Sequence, residues 1–154
     1  MKTLLAPVMA LGIALAACGG GGGAVLPPTS YPTTQNLPTI QIKDRVINLN
    51  AKSGYQYAKL TLDVVFADTS GQFVKAKGDS LKKLQDTFAT DNQAMVAAFN
   101  DVVTTDVSQK TPQELATNDG KEALRKQLIG DFNSRLAAGA PPVLYVNYVD
   151  FVMQ

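Results

Sequence analysis

The 154-residue chain has no histidine, no tryptophan and one cysteine. Without histidine there is no Ser-His-Asp or Cys-His nucleophilic machinery and no His-ligated zinc or haem, and a single thiol permits no intrachain disulfide. An excess of one charge is also missing: 14 Lys and Arg stand against 13 Asp and Glu, a formal net charge of +1. Nucleic-acid binders concentrate basic charge well beyond this, so no nucleic-acid partner is expected. What the chain does have is apolar mass. Hydrophobic residues make up 45% and charged residues 18%, with mean hydropathy +0.00, which is enough for one packed core and too much for wholesale disorder.

The N-terminus reads as an address. Met1-Lys2 gives a positive start, and Leu4, Leu5, Val8, Met9, Leu11, Ile13 and Leu15 follow in a run without charge. The run is shorter than the roughly 20 residues of a membrane-spanning helix and fits the apolar region of a secretory signal. It closes on Leu15-Ala16-Ala17-Cys18, the pattern of a bacterial lipobox, with small residues before the cut and a thiol to accept lipid. Residues 1–17 are therefore expected to be a lipoprotein signal peptide, and Cys18 the lipidation site. The other reading is an ordinary signal cleaved after Ala17, with Cys18 left idle. Each buried acyl CH₂ contributes about 0.8 kcal/mol, and stable anchoring takes two chains, which a diacylglyceryl group supplies. Cleavage removes Lys2 and no acid, so 13 bases face 13 acids in the exported chain and the lipid, not surface charge, must hold it to a membrane.

Residues 18–39 read as a Gly/Pro-rich flexible tether. The glycines from Gly19 to Gly23 lack the Lys-Ser/Thr and the flanking strand and helix of a phosphate loop. A flexible chain of this length averages about 25 Å end to end and reaches roughly 70 Å when taut.

From residue 40 the periodicity becomes legible. Ile40, Ile42, Ile47 and Leu49 suggest extended chain, interrupted by the solvated Lys43-Asp44-Arg45. Leu60, Leu62, Val64 and Phe66 then alternate with Lys59, Thr61, Asp63 and Val65, a strand with one buried face. Asp68-Thr69-Ser70-Gly71 reads as a turn into a short edge strand over 72–77. The period then changes to helical. Leu81, Leu84 and Phe88 mark one helix from Ser80, and Thr90 or Asp91 caps a second with the stripe Met95, Val96, Phe99, Val102, Val103 and Val107. Thr111-Pro112-Gln113-Glu114 combines a capping hydroxyl, proline at the first helical position and a capping-box glutamate. A last helix starts near Thr117 and carries Ala123, Leu124, Leu128, Phe132 and Leu136 inside, with Lys121, Glu122, Arg125 and Lys126 outside. Gly139, Pro141 and Pro142 stop it, and Val143 to Met153 reads as a buried or central strand. The expected fold is α+β over residues 40–154: a small sheet of early strands plus the C-terminal strand, packed against two to four helices.

The carboxylates carry no clear acid–base pair. Asp63, Asp68, Asp79, Asp86, Asp91, Asp101 and Asp106 fall at turns, caps or outward helix positions and are read as solvated. The stretch from Asp68 to Asp79 lacks calcium-loop spacing, and Asp150 is read as the solvent face of an edge. Tyr145 and Tyr148 are read as core residues. No catalytic residue, cofactor or metal is expected, and the chain is read as a non-enzyme. If it works by contact, the residues to watch are Lys121, Arg125 and Arg135 on the last helix, together with the closing strand.

Several of these pieces, in this order, resemble the periplasmic domain of the FliL family of flagellar basal-body proteins. They are Tyr57-Ala58-Lys59-Leu60-Thr61-Leu62-Asp63-Val64, the helix ending near Ser108 followed by Thr111-Pro112-Gln113-Glu114-Leu115, the helix start Thr117-Asn118-Asp119-Gly120-Lys121-Glu122-Ala123-Leu124-Arg125, and the closing Val146-Asn147-Tyr148-Val149-Asp150-Phe151-Val152-Met153-Gln154. The resemblance covers about 70% of the chain. It implies a stomatin-type (SPFH-like) domain that assembles into rings around the stator units of the flagellar motor and modulates motility without a catalytic site. Family members usually carry an N-terminal transmembrane helix; here a lipobox stands in its place, which implies a lipoprotein variant in the cell envelope, facing the periplasm, on either the inner or the outer membrane. Residues Gln72 to Asn92 also look longer and more polar than the family's passage from strand to helix. The alternative reading is a lipid-anchored envelope scaffold or ligand-binding lipoprotein on the same fold, unrelated to flagella.

Overall fold

The computed structural model describes residues 36–154; Cys18, the lipobox and most of the tether segment lie outside the described residues. The chain runs β1 (Thr39–Asn48), β2 (Tyr57–Phe66), α1 (Gln72–Lys75), α2 (Gly78–Asp91), α3 (Gln93–Ser108), α4 (Pro112–Leu115), α5 (Asn118–Arg135) and β3 (Val143–Met153). The strands form one antiparallel sheet in the order β1-β2-β3. This is the α+β architecture expected from the sequence.

The alternation along β2 decides which face is buried. Ala58, Leu60, Leu62, Val64 and Phe66 point to the helices and are fully buried, because successive strand residues face opposite sides. The closing strand is not central. β2 holds the centre, and β3 pairs with it along one edge, Val146 opposite Val64 and Phe151 opposite Leu60. The apolar, β-branched character of β3 serves a single buried face, with irregularities in the pairing near Leu144 and Val149.

The Lys43-Asp44-Arg45 interruption is a bulge inside one strand. Pairing runs from Ile42–Leu62 to Arg45–Leu60, with Asp44 at φ 48°, a left-handed conformation that aspartate tolerates better than most residues. The bulge turns Arg45 toward the helical side, where Nη2 donates to Thr104 Oγ1 of α3 at 3.0 Å.

Residues 72–77 are not an edge strand. The Asp68 carboxylate accepts from the Val74 N–H at 3.1 Å and Ser70 Oγ accepts from the Gln72 N–H at 3.2 Å. These side-chain acceptors begin a helical turn, α1. Burial alone would raise the Asp68 pKa, but the hydrogen bonds from Val74, Ser70 and neighbouring N–H groups outweigh it and hold the carboxyl low. Phe73 is buried edge-on against Phe88 at 5.9 Å. The cap of α3 is also displaced: Asn92 takes the position expected of Thr90 or Asp91, and it makes no side-chain cap bond.

Five phenylalanines tie the helices to the sheet. Phe73 meets Phe88, Phe88 meets Phe66 at 5.3 Å, Phe66 stacks on Phe99 at 6.1 Å, and Phe99 stacks on Phe132 at 4.1 Å. Such pairs contribute about 0.5–1.5 kcal/mol each beyond the area they bury.

The joint between α4 and α5 is built as the sequence suggests. The Thr111 hydroxyl accepts from the Glu114 N–H, and the Glu114 carboxylate accepts from the Thr111 N–H at 2.7 Å, closing a capping box with Pro112 at the first position. These bonds hold the Glu114 carboxyl below its ordinary range. Thr117 then caps α5 by accepting from the Gly120 N–H at 3.0 Å. At Gly120 a Cβ would lie 1.8 Å from the Glu114 carbonyl oxygen, so the glycine of Thr117-x-x-Gly120 is a packing requirement.

Candidate functional site

Two surfaces and one buried carboxylate stand out. The first surface lies where α5 crosses β3. Lys121 and Arg125, one helical turn apart, sit over the aromatic residues of the strand. Lys121 Nζ lies 5.2 Å from the Phe151 ring centre, and the Arg125 guanidinium 5.0 Å from that of Tyr148. The two rings meet edge-on at 5.3 Å. The Tyr148 hydroxyl donates to the Lys121 carbonyl at 2.9 Å, fixing the strand to the helix. Burial pushes the Tyr148 phenol above its ordinary value; the Arg125 charge opposes that rise and Glu122 adds to it.

Arg125 pairs with Glu122, three residues earlier, and only 14% of its side chain is exposed. Its Nε is buried without a hydrogen-bond partner. Lys121, Glu122, Arg125, Asn118 and Tyr148 line a cleft of about 360 Å³. Lys121, Glu122 and Arg125 are thus half-buried rather than on an outer helix face, because β3 covers that flank; Ala123, read as inward, is exposed.

Arg135 is elsewhere. It lies ten residues further along α5, about 15 Å by helical rise, and is exposed. It lines a cleft of about 370 Å³ with Asp91, Asn92, Met95 and Leu136. The structure brings Lys121 and Arg125 together and leaves Arg135 apart from them.

The second surface is the sheet face turned away from the core. Val46, Lys59 and Val152 form one row across the three strands, and Gln41, Asp63 and Asn147 another. Val46 is 62% exposed, Val152 40% and Tyr57 38%. The row ties itself together with polar bonds: Gln41 Nε2 donates to Asp63 at 2.8 Å, and Lys59 pairs with Asp44 at 2.9 Å. That pairing lowers the Asp44 pKa through its hydrogen bond and charge, and raises that of Lys59. Val65, opposite Thr39 and Tyr145, is the buried exception on this face. Asp150 is exposed on the edge strand, as read from the sequence. The bulged Leu144 and Val149 are exposed along the same strand.

Asp106 departs from the sequence reading. It is 6% exposed, the one buried charged residue among those described, and its Oδ2 has no partner. The reading of a solvated carboxylate fails because position 106 lies seven after Phe99 and three after Val103, on the apolar stripe itself. That spacing is the signal from which it was legible. Among the described residues no three His, Cys, Asp or Glu side chains converge as a metal set, and no helix is long and apolar enough to cross a membrane.

Helices pack on one face of a three-stranded sheet and leave the other face open, with one cleft lined by the Glu122–Arg125 ion pair where α5 crosses β3. The chain belongs to the FliL family: the family model for the flagellar basal body-associated protein FliL matches residues 39–154. That family is a structural component of the flagellum, associated with its basal body. No curated protein matched the chain.

Proposed function

We propose that this protein is a non-enzymatic, lipid-anchored envelope protein that modulates flagellar stator units by protein–protein contact and self-associates into a ring. The family match over residues 39–154 carries this reading. The open sheet face, with Val46, Tyr57 and Val152 exposed in a patch that no helix of the described residues covers, supports contact as the mode of action. The cationic α5 cleft of Lys121 and Arg125, and the separate Arg135, supply charge for partner choice more than raw affinity. Anchoring is assigned to lipid on Cys18, with the domain facing the periplasm. Residues 1–17 act as its signal peptide and the segment from residue 18 as a tether.

Photo-crosslinking in living cells tests the contact. A photoreactive residue replaces Val46, Val152 or Arg135 in turn, with Phe99 as the buried control. Adducts to a second copy or to a motor protein, identified by mass, are expected at the exposed positions only. Absence of adducts at all three, with the protein at normal level in the envelope, overturns the reading.

A further inference from the structure

Asp106 on α3 and Asp131 on α5 face each other across the contact of those two helices. Asp106 reaches that contact on the same stripe as Phe99, Val103 and Val107, so the packing that buries the valines also buries a carboxylate. Its Oδ2 lacks a donor. The groups around the pair can be named from each side. On α5 they are Asp131, Gln127 one turn earlier, and Arg135 one turn later. Past the end of α3 there is Lys110. Asp106, Asp131, Arg135, Thr105, Ser134 and Val102 line a cleft of about 230 Å³. Two carboxylates held together, one buried and one half-buried, repel when both are charged; a shared proton removes one charge and supplies the missing donor.

We propose that Asp106 and Asp131 form a proton-operated latch between α3 and α5. Closed, one proton lies between the two carboxyls and joins the helices. Open, that proton has left to solvent, the pair is doubly negative and the last turn of α5 loses its tie to α3, while Arg135, already lining the cleft, is the cation on α5 beside the pair. This regulation is additional to the contact function and does not depend on it.

The direction of the response follows from the environment. Burial first, then the charge and hydrogen bond of Asp131, push the Asp106 carboxyl up from 3.8 to about 6, against the opposing effects of Gln127 and Lys110. The folded protein therefore holds this proton more tightly than the unfolded chain. The stabilisation is complete below pH 3.8, declines as pH rises toward about 6, and is absent above that. The folded-to-unfolded ratio is expected to drop about ten- to a hundredfold across the window.

Carboxyl-carbon NMR on the purified protein tests the latch directly. Asp106 is expected to titrate near 6. Amide hydrogen exchange over residues 130–136, corrected for its intrinsic pH dependence, is expected to be faster at pH 7.5 than at pH 5. In Asp106→Asn the side-chain amide donates to Asp131 at every pH, so the exchange difference disappears. The same variant is then more stable than wild type at pH 7.5, by about ten- to a hundredfold in the folded ratio. An Asp106 midpoint near 4 overturns the proposal, as does an unchanged exchange difference in the variant. Should the variant fail to fold, the wild-type titration decides alone.

Discussion

A paired glycine experiment probes the α4–α5 joint with opposite signs on one helix. Gly120 and Gly130 both lie in α5. Alanine exceeds glycine in helix propensity by about 1 kcal/mol, so propensity alone stabilises both substitutions. Gly130 has nothing within 4 Å of an added Cβ, and Gly130→Ala is expected to gain about 0.5–1 kcal/mol. At Gly120 the Cβ meets the Glu114 carbonyl oxygen at 1.8 Å, its carbon at 2.6 Å and Thr117 Oγ1 at 3.0 Å. The obstacle is backbone, and that carbonyl accepts from both the Thr117 hydroxyl at 2.9 Å and the Thr117 N–H at 3.3 Å. Relief requires moving α4 off the start of α5 by more than 1 Å, about the gap between the present approach and ordinary contact. Overpacking of this kind costs about 1–3 kcal/mol, and losing the Thr117 cap adds about 1 kcal/mol. After the propensity gain, Gly120→Ala is expected to destabilise by about 1–3 kcal/mol. Urea unfolding followed by far-ultraviolet circular dichroism measures both variants. A Gly120→Ala protein as stable as Gly130→Ala refutes the packing argument.

Phe99→Ala removes the ring stacked between Phe66 and Phe132; it is expected to cost about 3–5 kcal/mol and to lower Tm by on the order of 10 °C in a thermal melt. Asn133 clamps α5 to the start of β3, with Oδ1 accepting from the Val143 N–H at 2.9 Å and Nδ2 donating to the Val143 and Ile129 carbonyls at 3.0 and 2.9 Å. Asn133→Asp keeps the acceptor but turns a charge toward two carbonyls. At neutral pH it is expected to destabilise by about 2–3 kcal/mol in denaturant titration, at least as much as Asn133→Ala.

The parts of the fold that local rules decide were legible in the sequence. The alternation of Leu60, Leu62, Val64 and Phe66, the Thr111-x-x-Glu114 box and the α3 stripe each depend on residues within a few positions of one another. The short helix α1 was not legible, because Phe73 acquires its partner Phe88 only through tertiary packing and Asp68 reaches Val74 only once the turn has formed. The strand order was hidden for a related reason. A β-branched edge strand with one buried face reads like a central one, and only the register places β2 between its neighbours. Lys121 and Arg125 were picked out for their charge, but the aromatic residues beneath them come from β3, more than twenty positions away. Asp106 is the instructive failure. Its spacing placed it on the buried stripe, and the general preference of aspartate for solvent argued against the spacing. The groups that meet it there, Gln127 and Asp131, lie on another helix.

The most direct test of contact at the flagellar motor is swimming of a clean deletion strain in liquid and in viscous medium, complemented by wild type or by Cys18→Ala. A defect that worsens with load, and that wild type restores but the anchorless form does not, is the expected result. Normal swimming under load in the deletion strain contradicts the motor role and leaves the domain an envelope scaffold or ligand-binding lipoprotein on a flagellar fold.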